Sequence, residues 1–212
     1  MKKLLIVYDS WSCGNTERIA KILQCTAGGD LWKLDTAEPY RGSYSEVVDQ
    51  GQREVERGLE PELKPLGVDP AEYDCIAVGT PTWWYTMAPA VLTFLTTNDF
   101  TGKTVIPFMT NGGWPGHVIK DMEENCKGAA FAHEMQIQFV SYALSDDKGN
   151  LLTLPEHLLG EENELSSFLF LGRSGFARSG SWLYSVDRAR IPDSDFTVSC
   201  IMKVTSPRQE RM

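Results

Sequence analysis

The chain has 212 residues, 42% hydrophobic and 23% charged, so it can bury a core of one α/β domain with an appendage and is not a disordered polymer. A formal net charge of −9 excludes a nucleic-acid partner, because phosphate backbones need clustered Lys and Arg, and leaves room for basic protein partners. No apolar run approaches the ~20 residues of a membrane span, so no membrane association is expected.

The start, "MKKLLIVYDS", is basic and then apolar, but it is too short for a secretory leader and has no small-residue cleavage site; it reads as a first strand. Five cysteines at 13, 25, 75, 126 and 200 form an odd set without a CxxC pair. That pattern favours a reducing, cytoplasmic setting over a disulfide framework or a zinc site. His117, His133 and His157 have no ligand spacing and read as ordinary histidines, and no catalytic side chain is nominated.

"KLLIVY", "DCIAVGT" and "TVIPFMT" are continuous apolar runs, as expected of strands buried on both faces of a parallel sheet. "DLWKLDT" is a shorter strand and "AFAHEMQIQFV" a further one. Helical patterns lie between them: Thr16 to Cys25, Tyr44 to Arg57, Ala88 to Leu95, and one after "GGWPG" that ends before Lys127. This alternation predicts right-handed crossovers and a doubly wound parallel sheet with helices on both faces.

Residues 173–212 carry six Arg and Lys203 against four acidic side chains, net +3, which leaves −12 on residues 1–172. "FLFLG", "SWLYSV" and "FTVSCIMKV" resemble short strands separated by turns. The expected division is a domain over 1–155 and an extension over 156–212, a basic appendage on an acidic body.

Ligands of a doubly wound sheet bind beyond the carboxyl ends of its strands. Three loops belong there, and they hold four of the six tryptophans. In "SWSCGNT", Ser10, Ser12 and Thr16 offer hydroxyls and Asn15 an amide. Gly14 allows close backbone approach, and a helix start turns N–H groups and a dipole toward an anion. Without Lys or Arg, such a loop suits one phosphomonoester better than a polyphosphate; taken alone, it could equally be a simple helix cap. In "TPTWWYTMA", Pro81, Trp83, Trp84 and Tyr85 supply flat apolar surface and Thr82 a polar group. The segment has no glycine, so positive φ should be costly. In "TNGGWPGH", Gly112, Gly113 and Gly116 let amides approach a planar ligand that Trp114 can cover. Together the loops describe a phosphorylated, planar, partly apolar ligand, and FMN is such a molecule.

The order "SWSCGNT … AVGTPTWWYTMAPAVLTFL … DFTGKTVIPFMTNGGWPG", with "EPY" and "PEL" around the second helix, resembles the flavodoxin family, in particular a bacterial branch with tryptophans in the second loop. The likeness covers about residues 1–140. It implies a five-stranded sheet in the order 2-1-3-4-5, noncovalent FMN and low-potential electron transfer. Residue by residue, it implies phosphate contacts for Ser10, Ser12, Gly14, Asn15 and Thr16, with Trp11 and Cys13 of the same loop also among the cofactor-binding residues. It places Pro81, Thr82, Trp83, Trp84 and Tyr85 beside the flavin, and Thr110, Asn111, Gly112, Gly113 and Gly116 at its other edge. Cys13 makes the phosphate loop one residue longer than the commonest form. The family closes with a terminal helix; "TLPEHLLGEENELSSFLFL" is the candidate, interrupted by Gly160. Two other readings stay open: an FMN-dependent NAD(P)H:quinone-type reductase, and a non-redox flavin-binding or partner-docking module. The oligomeric state is left open.

Overall fold

The computed structural model describes residues 2–145 and the strand segments 151–153, 173–176, 182–190 and 197–205, with side chains described over 2–139. Strands β1 (Leu4–Tyr8), β2 (Asp30–Lys33), β3 (Cys75–Pro81) and β4 (Thr104–Asn111) are joined through helices α1 (Asn15–Ala27), α2 (Tyr44–Glu56) and α3 (Pro89–Thr97). Helix α4 (Val118–Asn125) follows β4, then β5 (Ala130–Phe131) and β6 (Met135–Ser145). All pairings from β2 through β1, β3 and β4 to this fifth position are parallel, which is the predicted 2-1-3-4-5 order.

The fifth strand is split. "AFAHEMQIQFV" reads as one strand, yet β5 and β6 are separated by Ala132 to Glu134, with His133 at φ 56°. The cause lies in β4. Ala130 N and Ala132 N donate to the carbonyls of Lys103 and Val105, so alternate residues of β4 face this edge. Pro107 is the next in that row and has no N–H to give. Pairing resumes at Phe108 with Met135.

Each face of the sheet carries its own apolar layer. Leu5, Val7, Ile76, Val78 and Val105 pack under α3 and α4 through Val91, Phe94, Leu95, Val118, Ile119 and Met122. Ile6, Tyr8, Ala77, Phe108 and Ile137 pack under α1 through Ile19 and Ala20. Strands buried on both sides need apolar residues at consecutive positions, which is why β1 and β3 read as unbroken runs.

Beyond the fifth position the sheet continues with antiparallel strands. β7 (Leu151–Thr153) pairs with β6, and β10 (Thr197–Thr205) pairs with both β6 and β9 (Trp182–Arg190), which pairs with β8 (Arg173–Phe176). The strands expected at "SWLYSV" and "FTVSCIMKV" correspond to β9 and β10. "FLFLG" and most of the candidate closing helix lie outside the described residues.

Candidate functional site at the carboxyl edge

The three loops leave β1, β3 and β4 at the same edge, and buried polar contacts fix their bases. Asp9 N donates to Gly79 O at 3.0 Å, and Thr82 N to Thr110 O at 2.8 Å. The Thr16 and Thr110 hydroxyls, both buried, lie 2.8 Å apart and join the first loop to the third.

Gly14 is the N-cap of α1, at φ 67° and ψ 13°, in the left-handed region that favours glycine. Its carbonyl accepts Arg18 N at 2.9 Å, so the helix begins there. Gly14 brings no side chain to cap the helix. The first-turn amides are directed at the loop with the positive end of the dipole behind them. Ser10 is buried, Ser12 is exposed, and Trp11, Cys13 and Asn15 are half-buried.

Asp9, immediately before the loop, is 8% exposed. Burial pushes its carboxyl up to about 7, Lys33 opposing and Asp35 adding to the rise. Composition gave no signal for a buried acid beside an anion loop, although the residue is plain in "VYDS".

The second loop departs from expectation. Trp84 and Tyr85 both have positive φ, 50° and 68°, although neither is glycine. They are the central residues of a two-residue hairpin closed by Trp83 N to Thr86 O at 2.8 Å and Thr86 N to Trp83 O at 3.1 Å. Such a turn demands positive φ at both central positions, so the absence of glycine does not keep this loop out of that region. Surrounding contacts hold it there. Trp84 Nε1 donates to Val48 O of α2 at 2.8 Å, and His117 N donates to Tyr85 O at 2.8 Å.

The rings of the second loop have different surroundings. Trp83 packs against Gly51 of α2 and beside Trp11 and Tyr40. Trp84 lies on α2, while Tyr85 is 53% exposed. Pro81 is half-buried at the end of β3. The Thr82 hydroxyl is buried without a hydrogen-bond partner, an orphan that a ligand's polar edge would satisfy.

In the third loop, Asn111 is buried; its Oδ1 accepts Gly113 N at 2.8 Å and its Nδ2 donates to Ile137 O at 3.3 Å. Gly112, Gly113, Trp114 and Gly116 are exposed, Trp114 at 70%. His117, read as an ordinary histidine, bonds through Nδ1 to Asp121, which also accepts the Thr86 hydroxyl. This link between the second loop and α4 had a sequence signal, His and Asp four residues apart on a helix.

A parallel 2-1-3-4-5 sheet with a glycine-led helix start, an aromatic loop and a glycine-rich loop at one edge defines a flavodoxin-like protein. The model of the family described as Flavodoxin matches residues 3–147, and the chain belongs to that family. Similar solved structures include a candidate flavoprotein of Bacteroides uniformis, 29% identical with a TM-score of 0.56, and one of Bacteroides eggerthii, 27% identical with a TM-score of 0.57. Each alignment covers 62% of this chain and 86% of the other. A Lactobacillus acidophilus flavoprotein in complex with FMN shares the fold at 23% identity and a TM-score of 0.54, over 62% of this chain and 90% of that one. No curated protein matches. Among the described residues no helix is long and apolar enough to cross a membrane, and no group of three or more His, Cys, Asp or Glu is placed to hold a metal ion.

Proposed function

We propose that the chain binds FMN noncovalently and works as a low-potential electron carrier. The observation that carries this reading is the start of α1. Its amides face a hydroxyl-bearing loop, its N-cap is a glycine at positive φ with no side chain of its own, and the loop has no cationic side chain. That donor set matches a single phosphate ester. The orphaned Thr82 hydroxyl and the glycine-rich third loop add donors suited to a flat heterocycle.

On this reading the 10–16 loop holds the phosphate, Thr82 and the Thr110–Gly113 segment hold polar edges of the ring, and Tyr85 and Trp114 limit its contact with water. Bound FMN supplies one- and two-electron redox chemistry. The protein contributes position, exclusion of water and local charge. The −12 on residues 1–172 opposes added negative charge at the site and favours redox partners with basic surfaces. Cys13, Cys25, Cys75 and Cys126 are free thiols, which suits a reducing cytoplasm.

A flavin spectrum retained through gel filtration after FMN addition tests the binding. Dependence on a separate reductase for reduction by NAD(P)H tests the carrier role. The exposed rings of Tyr85 and Trp114 favour one second reading, a quinone-type reductase that seats an aromatic acceptor on them. Steady NAD(P)H turnover with a quinone and no added reductase would select it.

A further inference from the structure

Four rings meet between the first loop, the connection from β2 to α2, and the second loop. Trp11 stands edge-on to Tyr40 and Trp83, with centroids 6.3 and 6.2 Å away, and stacks on Tyr44 at 5.9 Å and 24°. Tyr40 lies 5.3 Å from Trp83. The rings form a continuous contact path from half-buried Trp83 to Tyr44, which is 67% exposed.

One feature exceeds what packing requires. The Tyr40 phenol donates to Glu54 Oε2 at 2.6 Å, while Glu54 Oε1 accepts Gln50 Nε2 at 2.7 Å. A carboxylate is thus fixed one turn beyond Gln50 on α2 and aimed at the phenol. A phenol loses an electron far more readily when its proton has somewhere to go. Glu54 provides that place.

We propose that this cluster is a radical relay, which removes one-electron oxidising equivalents from the carboxyl edge and delivers them, through Trp11, to Tyr40 and to the exposed Tyr44. A small oxidising radical takes one electron from the indole of half-buried Trp11 and becomes an anion; the oxidised indole releases its N–H proton to water. The neutral indolyl radical then takes an electron from Tyr40 and a proton from water, and the Tyr40 phenolic proton passes to Glu54 Oε2. The Tyr40 phenoxyl radical then takes an electron from Tyr44 through Trp11 and takes its proton back from Glu54, while Tyr44 loses its proton to water. A soluble thiol then donates a hydrogen atom to the exposed Tyr44 phenoxyl radical and leaves as a thiyl radical. The electron count balances at each transfer, and no bound flavin is needed.

The test is pulse radiolysis of the full chain without added flavin, with azide radical as the oxidant. Indolyl decay and phenoxyl growth are followed by absorbance. The wild type should convert indolyl to phenoxyl in a fast phase that is independent of protein concentration. The double variant Tyr40→Phe/Tyr44→Phe should lose that phase by an order of magnitude or more. Glu54→Gln, which keeps every ring, should slow it several-fold and change its solvent isotope effect. Tyr73→Phe is the control. Its phenol also donates to a carboxylate, Asp30 Oδ2 at 2.7 Å, but among the described residues no indole stacks on it. Wild-type kinetics in the double variant or in Glu54→Gln, or an equal loss in Tyr73→Phe, would overturn the relay. If the double variant does not fold, Glu54→Gln decides alone. Because the chain is studied without flavin, this proposal and the flavin reading fail separately.

Discussion

Gly116 and Tyr85 are in direct backbone contact: a Cβ built on Gly116 would lie 2.0 Å from Tyr85 O. The same carbonyl accepts His117 N at 2.8 Å. The second and third loops are therefore seated on each other through a space that only glycine leaves open, and Gly116 also has φ +59°. Gly116→Ala should lower stability by about 1–3 kcal/mol in urea unfolding. It should also weaken FMN binding at least tenfold by fluorescence titration, since neither loop could keep its position. Unchanged affinity would show that the contact does not shape the site.

Tyr85 pays a conformational cost that serves the loop. A non-glycine residue in the left-handed region is unfavourable by about 1–2 kcal/mol, partly offset in a Tyr→Gly change by the greater freedom of glycine when unfolded. Tyr85→Gly should therefore raise the stability of the flavin-free chain by about 0.5–1 kcal/mol, while loss of its half-exposed ring weakens FMN binding. Stability up and affinity down is the expected pair of results. A loss of stability would mean that the ring, and not the backbone, sets the energy of the turn.

The buried Thr16–Thr110 hydroxyl pair ties the first loop to the third. Thr16→Val keeps the shape and leaves the Thr110 hydroxyl without its partner, which should cost about 1–2 kcal/mol. Thr16→Ser should recover most of it. Thermal unfolding of the three chains checks this, and equal losses in both variants would point to packing instead of the hydrogen bond.

Asp9 should give the flavin-free chain an unusual pH dependence. Burial raises its carboxyl from 3.8 to about 7, so the folded state holds this proton more tightly than the unfolded one. Stability from this group is full below the ordinary carboxylate range, falls as pH rises through the interval up to about 7, and then levels off. The ceiling of the effect is about 4 kcal/mol. Asp9→Asn should abolish the slope and be the more stable chain at pH above 7. Urea unfolding of both chains across this interval would contradict the account if their curves ran parallel.

Much of this was legible in the sequence, and the limits have physical causes. Unbroken apolar runs marked β1, β3 and β4 because two-sided burial imposes them. The start of α1 could be read near Asn15 because Gly14 interrupts the pattern there. The split of the fifth strand was hidden because its cause, Pro107, lies in the neighbouring strand. The positive φ of Trp84 and Tyr85 was not legible because turn preference argues for glycine, whereas tertiary contacts to Val48 and His117 hold the costly conformation here. The four-ring cluster was not legible because Tyr40 and Tyr44 lie outside the three edge loops and reach Trp11 only through the tertiary fold.

The central claim is that the start of α1 is a phosphate-ester site, and the most direct measurement is titration of the flavin-free chain with FMN and with riboflavin. The account predicts retained flavin absorbance and tight binding of FMN, with riboflavin, which lacks the phosphate, bound at least a hundredfold more weakly. Equal affinity for the two would contradict it, since the loop from Ser10 to Thr16 would then contribute nothing that a phosphate uses.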